Sequence, residues 1–84
     1  MAPAKRSYIP IRRFDRNIVG ATVTKLRKAQ KLTRDQLAAR AQVSGWNISA
    51  YVLKRIERGE REVTDIELKK LAKSLRVPAA RLLE

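Results

Sequence analysis

The chain has 84 residues, the length of one small domain, which argues against a two-domain enzyme or a sensor carrying a ligand module. Lys and Arg number 20 against 8 Asp and Glu, so the formal net charge is +12, an excess that indicates a polyanionic partner. There is no Cys and no His, which argues against disulfides, thiolate nucleophiles, imidazole acid–base chemistry and the common zinc sites. No apolar run approaches the ~20 residues of a membrane span, and no signal-peptide core follows the basic start. The sequence therefore predicts a cytoplasmic, folded, basic binding domain without metal, cofactor or small-molecule ligand.

Residues 1–16 are predicted to form a largely extended basic arm. Its cations are Lys5, Arg6, Arg12, Arg13 and Arg16, against the single acid Asp15. Pro3 and Pro10 disfavour a helix in this segment. A second interpretation stays open, in which some of the arm's apolar side chains cover an edge of the domain; these are Tyr8, Ile9, Ile11 and Phe14.

Residues 17–84 are predicted to be a helical domain, because residues 11–77 lack proline and no alternating β-branched run is present. We expect helix 1 to begin at the N-cap Asn17 and to end near Gln30. Its buried stripe has the spacing i, i+4, i+7 and comprises Val19, Val23 and Leu26.

Helix 2 is predicted to open at Thr33, because Gln36 stands three residues later and completes a capping box. Its buried residues are expected to be Leu37, Ala38 and Ala41, and the two small alanines allow a neighbouring helix to approach closely.

Helix 3 is predicted to begin after the N-cap Ser49 and to end at Gly59, a residue suited to the left-handed position after a helix. At ~100° per residue, two faces separate along this helix. The apolar face contains Val52, Leu53 and Ile56 together with Ser49, and the basic face contains Tyr51, Lys54, Arg55 and Arg58.

Helix 4 is predicted to start at Thr64, with Glu67 completing a second capping box. It is expected to bury Leu68, Leu71, Ala72 and Leu75. Pro78, in a first-turn position, then opens a short helix 5 that holds Leu82 and Leu83. The predicted architecture is all-α with five helices and no internal repeat.

The ordered set of apolar and capping residues resembles the helix-turn-helix family of Cro and the lambda-type phage repressors, the XRE family. The matching positions are Leu26-Arg27, Leu32-Thr33-Arg34, Leu37-Ala38, Ile48-Ser49, Leu53, Ile56-Glu57-Arg58-Gly59, Leu68, Leu71-Ala72, Leu75 and Val77. They cover about residues 18–84, and the resemblance implies a five-helix lambda-repressor-like domain that binds DNA.

The sequence departs from the family pattern in the segment that joins helices 2 and 3. Residues 43–47 make this segment longer by about five residues than the usual helix-turn-helix connection. Asn47 stands where the family commonly has a turn glycine, so we expect it in the left-handed conformation. Trp46 leaves two alternatives: helix 2 ends before it and the ring folds under, or the helix continues and the ring faces elsewhere. Arg76 also replaces a frequent glycine after helix 4.

The exposed face of the helix over residues 49–58 is predicted to read base edges, since an α-helix fits a major groove that is ~12 Å wide. The candidate base-reading residues are Ala50, Tyr51, Lys54 and Arg55. Lys and Arg can donate to guanine, and Ala can contact a thymine methyl group. The alternative interpretation is a basic face that is merely solvated.

Phosphate contacts are predicted around this helix, partly from the amides at the start of helix 2 and partly from the resemblance. The candidates are Thr33, Arg34, Ser49, Arg58 and Arg61. The resemblance also implies a partly buried structural salt bridge between Arg27 and Glu57. A catalytic role for Glu57 is not expected, because no nucleophile, metal ligand or second titrating partner accompanies it.

The resulting prediction is a bacterial or phage-type transcriptional repressor, not an enzyme, that binds a specific double-stranded DNA operator as a homodimer. The resemblance places the dimer contact at the last helix, with Leu82 and Leu83. Two alternatives stay open. One is an antitoxin of the same fold whose protein partner is a toxin. The other is a non-specific nucleic-acid binder, for which a charge of +12 suffices. For a repressor, the corresponding protein partner is an antirepressor.

Overall fold

The computed structural model describes residues 18–83. These residues form α1 (Gly20–Ala29), α2 (Arg34–Val43), α3 (Ala50–Glu57), α4 (Asp65–Leu75) and α5 (Ala79–Leu82). Residues 18–83 contain no strand, so the predicted all-α architecture of five helices is confirmed. The predicted arm of residues 1–16 and the expected cap Asn17 lie outside the described residues. None of the helices in this part of the chain is long and apolar enough to cross a membrane.

The starts of three helices are those that the capping residues predict. The Thr33 hydroxyl accepts from the Gln36 amide at 3.0 Å, and the Gln36 side chain accepts from the Thr33 amide at 2.8 Å. Thr64 and Glu67 form the same reciprocal pair at the start of α4. The Ser49 hydroxyl accepts from the Val52 amide at 3.2 Å. Each cap satisfies an amide that otherwise lacks a partner in the first turn.

The predicted start of α1 is wrong. The helix begins at Gly20 with Val19 as its N-cap, and no side chain caps it. The first intrahelical bond joins the Val23 amide to the Val19 carbonyl at 2.9 Å. Val19 is a buried core residue, so packing of its side chain accompanies the start of the helix.

The core lies between two pairs of helices, since α2 contacts α3 and α4, and α1 contacts the same two helices. Its buried apolar residues are Val19, Val23, Leu26, Leu37, Ala38, Ala41, Ile48, Leu53, Ile56, Leu71, Ala72, Leu75 and Leu82. The predicted stripes of α1 and α2 are therefore confirmed. In α3 and α4, Val52 and Leu68 are only partly buried and pack against the rim of this core.

The last helix corrects one part of the dimer prediction. Leu82 is 1% exposed and belongs to the core, so it cannot serve as a surface contact for a second copy. Leu83, its neighbour, is 55% exposed. Leu82 is the last residue of α5, which packs against α4, and Leu83 is its C-cap; the two adjacent leucines point in different directions, and only Leu82 reaches the core.

The joining segment resolves the alternatives for Trp46. Helix α2 ends at Val43, Ser44 caps it, and the Trp46 amide donates to the Ala41 carbonyl at 2.8 Å. The ring is partly buried against the core, so the alternative in which the helix ends before Trp46 is the correct one. The expectation for Asn47 is wrong, because the left-handed position is taken by Gly45 at φ +98°, where a glycine pays no Cβ penalty.

The carboxyl end of α4 keeps the left-handed geometry that its sequence put in question. Arg76 has φ 59° and ψ 42°, and the Val77 amide closes the turn on the Ala72 carbonyl at 3.0 Å. The Gln30 side chain donates to the Leu75 carbonyl at 2.7 Å, which ties the end of α1 to the end of α4. Arginine thus occupies a position where glycine is more favourable.

Candidate nucleic-acid interface

Helix α3 presents one apolar face and one exposed face, as its periodicity predicts. Leu53 and Ile56 are completely covered, and Glu57 is buried beside them. On the other side Tyr51 is 64% exposed, although an aromatic side chain of this size is ordinarily well covered. The phenol of Tyr51 is therefore accessible to a ligand on this side of α3.

Three of the four predicted base-reading residues line one open groove between the start of α2 and α3. The residues along this groove are Arg27, Thr33, Arg34, Asp35, Ala50, Tyr51 and Lys54. The Lys54 ammonium lies 5.7 Å from the centre of the Tyr51 ring, within the range of a cation–π contact. We call this feature the α2–α3 groove.

The fourth candidate, Arg55, does not line the α2–α3 groove. Its Nη2 donates to the Glu60 carbonyl at 3.1 Å, so the guanidinium is bound to the loop that follows α3. The exposed face of α3 thus divides into Tyr51 and Lys54, which border the groove, and Arg55, which braces the loop.

The predicted phosphate contacts do not form one cluster. Thr33 and Arg34 border the α2–α3 groove, whereas Ser49 and Arg61 border a second groove beside Trp46. Arg58 is an exposed residue whose Nε pairs with Glu60 at 3.0 Å. These residues therefore surround α3 on several sides rather than concentrating charge at one point.

Arg61 has a carboxylate partner that the sequence analysis did not anticipate. Its Nη1 and Nη2 donate to both oxygens of Glu67, at 3.0 and 2.8 Å. Hydrogen bonding to Glu67 raises the pKa of Arg61, and the same bonds from Arg61 hold the pKa of Glu67 below its ordinary value. Because Glu67 also belongs to the capping box of α4, this pair links the loop after α3 to the start of α4.

The start of α2 offers backbone donors next to the groove. The amides of Arg34 and Asp35 occupy the first turn, where no carbonyl of the helix can reach them. Neither amide has a hydrogen-bond partner within residues 18–83. Together with the positive end of the helix dipole they form a surface that favours an anionic group.

Arg27 and Glu57 are in contact, as the resemblance implied. The Nε of Arg27 donates to Glu57 Oε2 at 2.6 Å and its Nη2 to Oε1 at 3.1 Å. The Nη1 of Arg27 donates to the Leu32 carbonyl at 2.7 Å, so each of its three nitrogens has a partner. This bidentate pair joins α1 to α3 inside the domain.

Glu57 has a second cationic partner that sequence reasoning missed. The Nε of Arg34 donates to Glu57 Oε1 at 2.9 Å, so a single carboxylate joins α1, α2 and α3. Residue 34 was predicted only as a phosphate contact. Sequence spacing carries no signal for this bond, because it joins residues 23 positions apart whose proximity depends on how α2 packs on α3.

An apolar groove lies on a different part of the surface from the α2–α3 groove. It is lined by Ile18, Val19, Val63, Thr64, Asp65, Leu68 and Leu83. Ile18 and Leu83 are exposed aliphatic residues at its edge. We call this feature the apolar groove. Its position includes Leu83, the one predicted dimer residue that remains on the surface.

Comparison with known proteins shows similarity to regulators. A family profile described as helix-turn-helix matches residues 23–82. The crystal structure of the restriction-modification controller protein C.AhdI from Aeromonas hydrophila is 26% identical, with a TM-score of 0.68, over 81% of this chain and 96% of that chain. The clp gene regulator ClgR from C. glutamicum is also 26% identical, with a TM-score of 0.70, over 81% of this chain and 82% of that chain. No curated protein sequence matches the chain.

Proposed function

Because the chain belongs to the helix-turn-helix family of Cro and the lambda-type repressors, and is therefore a DNA-binding transcription regulator, we propose that it recognises one operator sequence as a homodimer and represses transcription there. The observation that carries the proposal is the exposed side of α3, where Tyr51 and Lys54 border a groove shared with the start of α2.

Helix α3 has the dimensions for major-groove recognition. An α-helix with its side chains is about 10–12 Å across, which matches the ~12 Å width of the major groove, and the eight residues of α3 extend about 12 Å along its axis. Leu53 and Ile56 anchor one side in the core, so the opposite side is held in a fixed orientation. We propose Ala50, Tyr51 and Lys54 as the direct readers on this side. Arg55 is bound through Nη2 to the Glu60 carbonyl and does not line the α2–α3 groove, so we propose it as a secondary reader.

Phosphate contacts supply affinity without sequence preference. The unpaired amides at the start of α2, beside Thr33, support a phosphate position there, and Arg58 is exposed at the end of α3. Ser49 and Arg61 border the second groove, where Arg61 shares its charge with Glu67. We propose that the arm cations Lys5, Arg6, Arg12 and Arg13 add to this term, consistent with the net charge of +12.

The homodimer is proposed from the apolar groove and from the short reach of a single recognition helix. One protomer reads only a half-site, and two half-sites about 34 Å apart are the usual arrangement for this fold. Leu83 and Ile18 leave aliphatic surface exposed around Val63 and Leu68, and a second copy related by a two-fold axis would cover it. A dimer occupying an operator at the nucleoid represses by excluding the transcription machinery.

Selection from a random duplex library, followed by anisotropy measurements on the enriched sites, tests this proposal. We expect one enriched sequence with two-fold symmetry. Lys54→Ala should reduce binding to this site by about 5- to 150-fold and relax the preference at particular base pairs. Lys73→Ala, an exposed cation on α4, is the matched control and should leave that preference unchanged. Equal affinity for all duplexes and for single strands would instead favour a non-specific nucleic-acid binder.

A further inference from the structure

Arg34 is anchored at one edge and open at the other. Its Nε donates to Glu57 Oε1 at 2.9 Å, and the Glu57 side chain is 1% exposed and held from its other side by Arg27. The Arg34 side chain is 37% exposed. Its Nη1 and Nη2 have no hydrogen-bond partner within residues 18–83. One nitrogen is thus bound to a buried carboxylate, while two parallel donors are available to a ligand.

The open edge of Arg34 belongs to the α2–α3 groove. The residues opposite it on α3 are Ala50, Tyr51 and Lys54, which form the proposed reading face. Because the groove is formed by residues of both α2 and α3, a base that contacts α3 from within the groove also lies near Arg34. The packing of α2 on α3 therefore places Arg34 beside the proposed reading face.

The charges around Arg34 favour a base edge over a phosphate. The buried carboxylate of Glu57 already compensates part of the positive charge of Arg34, so Arg34 attracts a phosphate less strongly than an unpaired arginine would. Arg34 keeps its directional hydrogen-bonding capacity, because its two free nitrogens form a fork that matches the O6 and N7 acceptors of guanine. Arg58 also pairs with a carboxylate, that of Glu60, but both side chains are exposed and lie outside this groove, so Arg58 can turn to a phosphate.

We propose that Arg34 is a specificity-determining residue that donates from Nη1 and Nη2 to O6 and N7 of one guanine, with Glu57 as its positioning residue. This inference rests on the proposed binding to a specific duplex. The bond to Glu57 orders the guanidinium before DNA arrives, so less conformational entropy is lost when the two contacts to guanine form.

The test uses the full chain and the duplex selected by the wild type, with each guanine replaced in turn by 7-deazaguanine, which lacks N7. We expect one position at which this replacement weakens wild-type binding about tenfold, and at which other bases are disfavoured by about 5- to 150-fold. Arg34→Ala and the charge-preserving Arg34→Lys should both lose that discrimination, and 7-deazaguanine should no longer affect either variant.

Arg58→Ala is the matched control, because it removes an exposed cation outside the groove. It should keep every base preference and reduce the slope of log K against log salt by about one contact. If Arg34→Ala instead weakens all duplexes equally and reduces the salt slope, Arg34 contacts a phosphate and the inference is wrong, while the proposed function stands. If the wild type itself prefers no duplex, the proposed function fails together with the inference. Thermal melting of both Arg34 variants verifies that the fold persists.

Discussion

The carboxylate of Glu57 provides the sharpest test of how the domain is held together. Replacing it in Glu57→Leu removes three hydrogen bonds at once, two from Arg27 and one from Arg34. Arg27 then keeps only the Leu32 carbonyl as a partner, although its side chain is just 8% exposed. The variant therefore leaves a guanidinium inside the domain without a counter-charge.

The expected loss follows from the burial of the two arginines. Breaking a buried pair by removing one partner costs about 3–5 kcal/mol, and almost all of this applies to Arg27. Arg34 is more than a third exposed and can turn to water, so its share is no more than about 1 kcal/mol. At roughly 4–8 °C for each kcal/mol in a domain of this size, the melting temperature should fall by between about 12 and 40 °C.

A double-mutant cycle separates the pair from the rest of the environment. Arg27→Met combined with Glu57→Leu removes both charges and leaves an apolar contact, which is often neutral when such pairs are replaced. We expect the double variant to recover most of the loss, with a coupling energy of about 2–4 kcal/mol measured by urea unfolding. Glu60→Gln, whose partner Arg58 is exposed, is the control and should change stability by less than about 0.5 kcal/mol. Strictly additive effects of the two single substitutions would refute the reasoning.

Three further predictions concern other parts of the structure. Because Arg61 holds the pKa of Glu67 below its ordinary value, that pair stabilises the fold above this value and the contribution is lost as the pH falls through the folded-state pKa. Glu67→Gln can still form the capping box, so it should lower the free energy of unfolding by no more than about 1 kcal/mol at pH 7. In urea titrations at acidic pH the two free energies of unfolding should converge, and a difference that stays constant with pH would contradict this. Leu83→Asp should lower the stoichiometry of the operator complex, measured by analytical ultracentrifugation, from two protomers to one, whereas Val43→Asp on another surface should leave it at two. A wild-type complex with one protomer would exclude the dimer. Arg76→Gly should raise the free energy of unfolding by about 0.5–1 kcal/mol, because glycine adopts a φ of 59° without penalty. Arg76→Ala should melt near the wild type. A glycine variant less stable than the wild type would show that the arginine side chain itself contributes.

Local signals made most of the fold predictable from the sequence. The caps Thr33, Ser49 and Thr64 could be identified because a capping hydrogen bond joins a hydroxyl to the amide three residues later, so it depends only on residues close in sequence. The start of α1 was not predictable in this way, because its N-cap is Val19, a buried apolar residue that forms no side-chain cap bond and so leaves no capping signal in the sequence. For the same reason Leu82 and Leu83 could not be told apart, since their roles depend on how a short helix sits against α4.

The lengthened segment between α2 and α3 shows why a departure from the family pattern need not disturb the interface. Its extra residues are accommodated by the left-handed Gly45 and by Trp46, whose ring covers the rim of the core. Gln42 donates from its side chain to the Ile48 carbonyl at 3.1 Å, which joins the two ends of the segment. Ile48 is itself buried in the core, so it anchors the chain two residues before α3 begins.

Stability and recognition are coupled through Glu57, and this coupling determines which substitutions are informative. The same oxygen, Oε1, accepts from Arg27 inside the domain and from Arg34 at the α2–α3 groove. Any change at Glu57 therefore weakens the joint between α1 and α3 and releases the anchored arginine at the same time. A loss of DNA binding in such a variant does not distinguish a damaged fold from a misplaced reader. Substitution of Arg34 does, because its side chain is more than a third exposed and the bidentate pair of Arg27 with Glu57 does not depend on it.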